Sequence, residues 1–67
     1  MIRNKLRASR DARGLTQADL AEALGVSRQT VISLEQGRYS PSVELALRLA
    51  RYFGQPLEAL FHLDDGA

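Results

Sequence analysis

Near the middle of this 67-residue chain, five polar side chains have the types and spacing to read the hydrogen-bonding edge of another molecule. Ser27, Arg28, Gln29 and Thr30 are consecutive, and Ser33 follows Gln29 by one helical turn. The Arg28 guanidinium can donate two parallel hydrogen bonds, which fits O6 and N7 of guanine. The Gln29 amide can donate and accept at once, which fits N6 and N7 of adenine. Each such two-point pairing discriminates against a wrong base by about 1–3 kcal/mol. Polar residues merely solvated after a helix cap would have the same composition, so the case rests on what positions these side chains.

Ser27 is a natural N-cap, and Gly37 ends the helix that Ser27 begins. At helical spacing Val31 and Leu34 point inward, with Ser27 and Glu35 close to that face. The opposite arc holds Gln29, Ile32, Ser33 and Gln36. Ile32 either presses on a thymine methyl or is an isolated exposed apolar residue, and the sequence favours neither reading. Upstream, Thr16 caps another helix, since T-x-x-D with Asp19 is a capping-box variant. Leu20, Ala21 and Leu24 give that helix a narrow inward stripe. The span Gln17–Gln36 thus predicts two short amphipathic helices hinged at Gly25. This is the layout of a helix-turn-helix that offers its second helix to the DNA major groove.

The remaining elements frame this pair. A first helix is expected from about Asn4 to Arg13, with Leu6 and Ala12 among its inward positions. After Pro41, Ser42 can cap a fourth helix running to about Phe53. Val43, Ala46, Leu47, Ala50 and Phe53 form its expected core stripe, and Leu45, Leu49 and Tyr52 form a second one. Pro56 suits the first position of a short fifth helix through about Leu60 or Phe61. The tail Phe61-His62-Leu63-Asp64 alternates apolar and polar residues, which predicts a short strand pairing with Ile2–Asn4. The expected fold class is all-α: one compact five-helix domain over residues 1–67.

Composition narrows the function classes. The chain has no cysteine and one histidine, His62, so disulfides and thiolate metal sites are excluded and a metal centre is not expected. Asp64 and Asp65 read as a solvated acidic tail, and no nucleophile–base constellation can be assembled, so no enzymatic activity is expected. No apolar run approaches the roughly 20 residues of a membrane span, and the N-terminus lacks a signal-peptide core. A soluble cytoplasmic protein without cofactor or small-molecule ligand is expected. The net charge is only +1, but residues 1–13 carry Arg3, Lys5, Arg7, Arg10 and Arg13 against Asp11 alone. Glu58, Asp64 and Asp65 make the other end acidic, so only the basic end suits phosphates. Arg3, Lys5 and Arg7 fit phosphate contact and simple solubility equally.

At Thr16-Gln17-Ala-Asp-Leu-Ala, Gly25-Val-Ser-Arg-Gln-Thr-Val, Leu34-Glu35-Gln36-Gly37 and Pro41-Ser42 the chain closely resembles lambda-repressor-like, Cro/Xre-family DNA-binding domains over roughly residues 4–61. Within the family it looks most like the short, stand-alone dimeric regulators. The resemblance implies that Arg28 and Gln29 reach deepest into the groove, with Ser33 contacting a base or sugar. It implies phosphate contacts from Gln17, Ser27, Gln36, Arg38, Tyr39 and Ser40. Tyr39 could instead lie over the small core. It also implies an ion pair between Arg10 and Glu35 that ties the first helix to the recognition helix, which makes Arg10 structural.

A single module of this size contacts too few base pairs for a useful specificity ratio. A homodimer about a two-fold axis would place two recognition helices in major-groove faces roughly 34 Å apart, on a short palindrome. Tyr52, Leu57, Phe61 and Leu63, in a segment of about residues 52–64, are the expected interface, unless they complete the core. The expected function is a sequence-specific double-stranded DNA-binding regulator, acting as a repressor. The competing class is a protein-interaction helix-turn-helix module such as an antitoxin.

Overall fold

The computed structural model describes residues 2–38 and 40–63. Tyr39, Asp64 and Asp65, singled out above, lie outside the described residues. Among those described, the chain forms strand β1 (Ile2–Asn4), helices α1 (Leu6–Ala12), α2 (Gln17–Leu24), α3 (Arg28–Glu35), α4 (Val43–Phe53) and α5 (Leu57–Leu60), and strand β2 (Phe61–Leu63). The strands pair antiparallel in the register Ile2 to Leu63, Arg3 to His62 and Asn4 to Phe61. This small ribbon joins the two ends of an otherwise helical fold.

One contiguous apolar cluster holds the helices together. Leu6 comes from α1, Leu20, Ala21 and Leu24 from α2, Val31 and Leu34 from α3, Leu49 and Phe53 from α4, and Leu60 from α5. Each helix is too short to persist alone in water, so burial of these side chains, at about 25 cal/mol per Å² of apolar surface, stabilises the helices collectively.

Three inward assignments are corrected. Ala12 is exposed: it lies six residues beyond Leu6, about 240° around the helix, so it cannot share the face that buries Leu6. On α4 the buried stripe is Ala46, Leu49 and Phe53, with Leu45, Ala50 and Tyr52 packed partly against it. Val43 and Leu47 stand 76% and 54% exposed. Val43 opens the helix beyond the reach of the core, and Leu47 falls on the flank away from Leu49. Two boundaries also move. Asn4 belongs to β1, and its Oδ1 accepts a hydrogen bond from the Leu6 amide at 3.2 Å. Pro56 is the N-cap of α5, with ψ of 150°, so Leu57 is the first helical residue.

Helix ends are satisfied by local sequence. Thr16 and Asp19 form a reciprocal capping box on α2, and Ser27 and Ser42 accept the Thr30 and Leu45 amides on α3 and α4. At the turn of the helix-turn-helix, Gly25 has φ of +71°. Its amide donates to Glu22 and that of Val26 to Ala21, the paired bonds that close a helix through a left-handed residue. Gly37 closes α3 likewise, through Gly37 to Leu34 and Arg38 to Ser33.

Other carbonyls at helix C-termini are capped from a distance. Arg13 donates to the Tyr52 and Phe53 carbonyls at 3.1 and 2.8 Å, with its guanidinium 5.7 and 5.2 Å from the centres of those two rings. Arg48 donates to the Leu24 carbonyl at 2.8 Å.

The capping box makes stability depend on pH. The hydrogen bond from the Thr16 amide, and then that from its hydroxyl side, hold the Asp19 carboxyl below its ordinary range. A depressed carboxylate contributes stability that is fully present above its unfolded pKa and lost as pH falls through the folded one. Asp19→Ala is therefore expected to lower the urea midpoint at neutral pH. The gap to wild type should close as the pH drops below the usual carboxylate range. A gap that stayed constant down to acid pH would remove the carboxylate from the explanation.

Candidate nucleic-acid interface

The candidate recognition surface lies on α3, which has one buried and one exposed side. Val31 and Leu34 are almost fully buried and fix the helix against α2. Arg28 and Gln29, on the first turn, are exposed. Ser33 is half-buried, and its hydroxyl lies 3.5 Å from the Gln29 amide nitrogen, at the limit of a hydrogen bond. Ile32 is half-buried too. The Ser27 hydroxyl is occupied by the Thr30 amide at 3.1 Å and the Thr30 hydroxyl at 2.9 Å, so it serves the helix cap first.

A polar junction locks α3 to α1 and α2. Arg10 Nε donates to Glu35 Oε2 at 2.7 Å, and its Nη2 to Glu35 Oε1 at 3.3 Å, a two-point pairing. Arg10 Nη1 also donates to the Leu15 carbonyl at 2.8 Å. The side chains are only 11% and 5% exposed. The hydrogen bond to Glu35 dominates the environment of the Arg10 guanidinium and raises its pKa, so the group stays charged throughout the accessible range. Gln17 joins the junction, its Nε2 donating to Glu35 Oε1 at 3.2 Å. That leaves the Gln17 carbonyl oxygen and the backbone amides at the start of α2 for other partners.

Arg7, Arg10, Gln17, Arg28, Glu35 and Gln36 line an open groove of 720 Å³ where α1, α2 and α3 meet. Glu35 neutralises Arg10, whereas Arg28 is exposed and Arg7 holds only a solvent-exposed contact of 3.8 Å with Asp11. The groove is therefore cationic, next to the N-terminus of α2, where unpaired amides favour anions. Gln36, Arg38 and Ser40 are exposed beyond the end of α3. The structure thus brings Gln17, Arg28 and Gln36 together around the groove, with Gln29 and Ser33 on the outward arc of α3.

The expected dimer residues are elsewhere. Leu63 is 72% exposed on β2, while Tyr52, Leu57 and Phe61 are half-buried, with Tyr52 and Phe61 packed partly against the core. Sequence reasoning missed two contacts on α3, that of Gln17 with Glu35 and one from Asn4. Asn4 Nδ2 donates to the Leu34 carbonyl at 2.7 Å across 30 positions of sequence. Only the pairing of β1 with β2 brings Asn4 there, so no local pattern could have signalled it. Among the described residues no helix is long and apolar enough to cross a membrane.

Comparison with known proteins agrees with this geometry. A helix-turn-helix family profile matches residues 6–60. An uncharacterised HTH-type transcriptional regulator of Methanothermobacter thermautotrophicus is 54% identical over 68 residues, covering 98% of this chain and 99% of its own. A second, from Methanocaldococcus jannaschii, is 48% identical over 64 residues, covering 96% of this chain and 97% of its own. The cryptic phage CTXphi transcriptional repressor RstR of Vibrio cholerae is 35% identical over 60 residues, 90% of this chain but 54% of the repressor. The crystal structure of a candidate DNA-binding protein from Bacteroides fragilis superposes with a TM-score of 0.81 over 92% of this chain and all of that one, at 21% identity.

Proposed function

The chain belongs to the helix-turn-helix family of transcriptional regulators, of the Cro/Xre type, and from that membership we propose that it is a repressor that binds a short palindromic operator as a homodimer. The observation that carries the reading is the division of α3, with Val31, Leu34 and Glu35 fixed behind it and Arg28 and Gln29 exposed in front. Rigid backing is what base readout requires, because a two-point hydrogen bond tolerates little misplacement. Arg28, Gln29 and Ser33 are assigned to bases, and Gln17, Ser27, Gln36, Arg38, Tyr39 and Ser40 to phosphates. The cationic groove beside α2 supports the phosphate assignment. The kinship with a phage repressor supports repression, by a dimer that covers its operator.

The dimer contact is assigned to Leu63, Leu57, Phe61 and Tyr52, of which Leu63 is 72% exposed and the other three are half-buried, so that each has apolar surface left to cover. Sedimentation should give a dimer at micromolar concentration, and anisotropy on operator DNA should give a steep fall in affinity with salt. A monomer that binds one half-site per chain would sink the dimer. An affinity indifferent to salt would favour a protein-binding module instead.

A further inference from the structure

We propose that Asn4 is a positioning residue that sets the recognition helix relative to the dimer contact, and so selects the spacing between operator half-sites. The inference rests on the homodimer reading above and adds a specificity determinant to it.

Asn4 stands at a junction of three elements. Its backbone belongs to β1 and pairs with Phe61 of β2, two residues from the exposed Leu63. Its Oδ1 accepts the Leu6 amide at the start of α1, at 3.2 Å. Its Nδ2 donates to the Leu34 carbonyl at the end of α3, at 2.7 Å. The next amide in the chain, that of Lys5, donates to the Leu60 carbonyl at 2.8 Å, which fastens the same point to α5. The Leu34 carbonyl also accepts the Gly37 amide at 3.0 Å, so the Asn4 bond fills its second lone pair.

The consequence is geometric. In a two-fold dimer the separation and tilt of the recognition helices are fixed by the path from the symmetry axis to α3. If β2 lies at the axis, that path runs Leu63, Phe61, Asn4, Leu34. The Asn4 side chain is the short polar link in it, directional where the surrounding apolar contacts are not. The Arg10–Glu35 pairing holds the same helix from α1, through a side chain that belongs to α1 and not to the ribbon. The two ties therefore have separable effects, one on the helix within its own subunit and one on the helix relative to the partner.

Asn4→Ser tests this. A serine hydroxyl can still accept the Leu6 amide but is too short to reach Leu34. Asn4→Asp, which keeps the acceptor and removes the N–H donor, is the second variant. Each is compared with wild type by anisotropy on palindromes whose half-site separation changes by single base pairs, and on an isolated half-site.

Wild type should prefer one separation by about tenfold or more, and Asn4→Ser should reduce that preference to about threefold or less. Half-site affinity and base preference should change less than about twofold, a pattern that general destabilisation would not give. A folded variant with wild-type spacing selectivity overturns the role of Asn4 and leaves the dimer standing. Absence of spacing preference in wild type overturns the dimer reading and this one together. If neither variant melts cooperatively, amide exchange in wild type decides. A full palindrome should slow the Lys5 and Gly37 amides together relative to a half-site, and slowing of Gly37 alone overturns the proposal.

Discussion

Replacing Glu35 with alanine is expected to destabilise the fold by about 3–5 kcal/mol, the cost of leaving one partner of a buried pair uncompensated. The reason lies in what remains. Arg10, 11% exposed, would keep its charge, its bond to the Leu15 carbonyl and its 3.4 Å contact with the exposed Asp11, but lose both Glu35 oxygens, the buried acceptors that offset its desolvation. Gln17 would lose its acceptor on Glu35 as well. In a domain of this size each kcal/mol shifts the melting temperature by about 4–8 °C, so the loss is easily measured by thermal denaturation. The double variant Arg10→Met, Glu35→Leu should recover most of that loss, because two apolar side chains carry no desolvation penalty. A loss below about 1 kcal/mol for Glu35→Ala would mean that water screens the pair as it does at a surface.

The second large effect concerns binding. Arg28→Ala is expected to weaken binding by about 1–3 kcal/mol per half-site, roughly 5- to 150-fold for each, and to flatten discrimination at a single base pair in each half-site. Affinity for random DNA should change far less. Arg38→Ala should act in the opposite manner, weakening all sequences alike and reducing the slope of log affinity against log salt by about one unit per subunit. The contrast follows from position. Arg28 opens α3 on its exposed first turn, whereas Arg38 follows the helix in the loop before α4. Equal losses on specific and random DNA for both variants would dissolve the division into base and phosphate contacts.

Local chemistry made much of this fold legible in the sequence. Thr16, Ser27 and Ser42 are caps in the sequence and caps in the structure, and Gly25 and Gly37 end the helices they were expected to end. These features depend on residues within one or two turns. The strand pairing of the termini was readable from the alternation at Phe61–Leu63. What local pattern could not resolve was α4, where apolar residues cover so much of the circumference that two stripes competed. Only packing into the shared core decides that Leu49 is buried and Leu47 is not. The long-range polar ties, from Asn4, Arg13 and Arg48 to distant carbonyls, carry no periodicity and were invisible for that reason. In the sequence Arg13 reads as the end of the first helix and part of the basic end, whereas in the structure its guanidinium is committed to the end of α4.

Those distant ties bear on how the molecule comes apart. The last carbonyls of α2, α3 and α4 each accept a side chain from another element: Arg48, Asn4 and Arg13 respectively. A helix of eight or eleven residues would ordinarily fray from its C-terminus, but here fraying one helix also costs an interaction held by another. Opening at one helix end is therefore coupled to a neighbouring element, which favours cooperative denaturation. For a regulator that acts by sitting on DNA, this makes its lifetime a sharp variable. A protease that captures the opened chain would then remove α3 together with the rest of the fold, without a partly folded remnant.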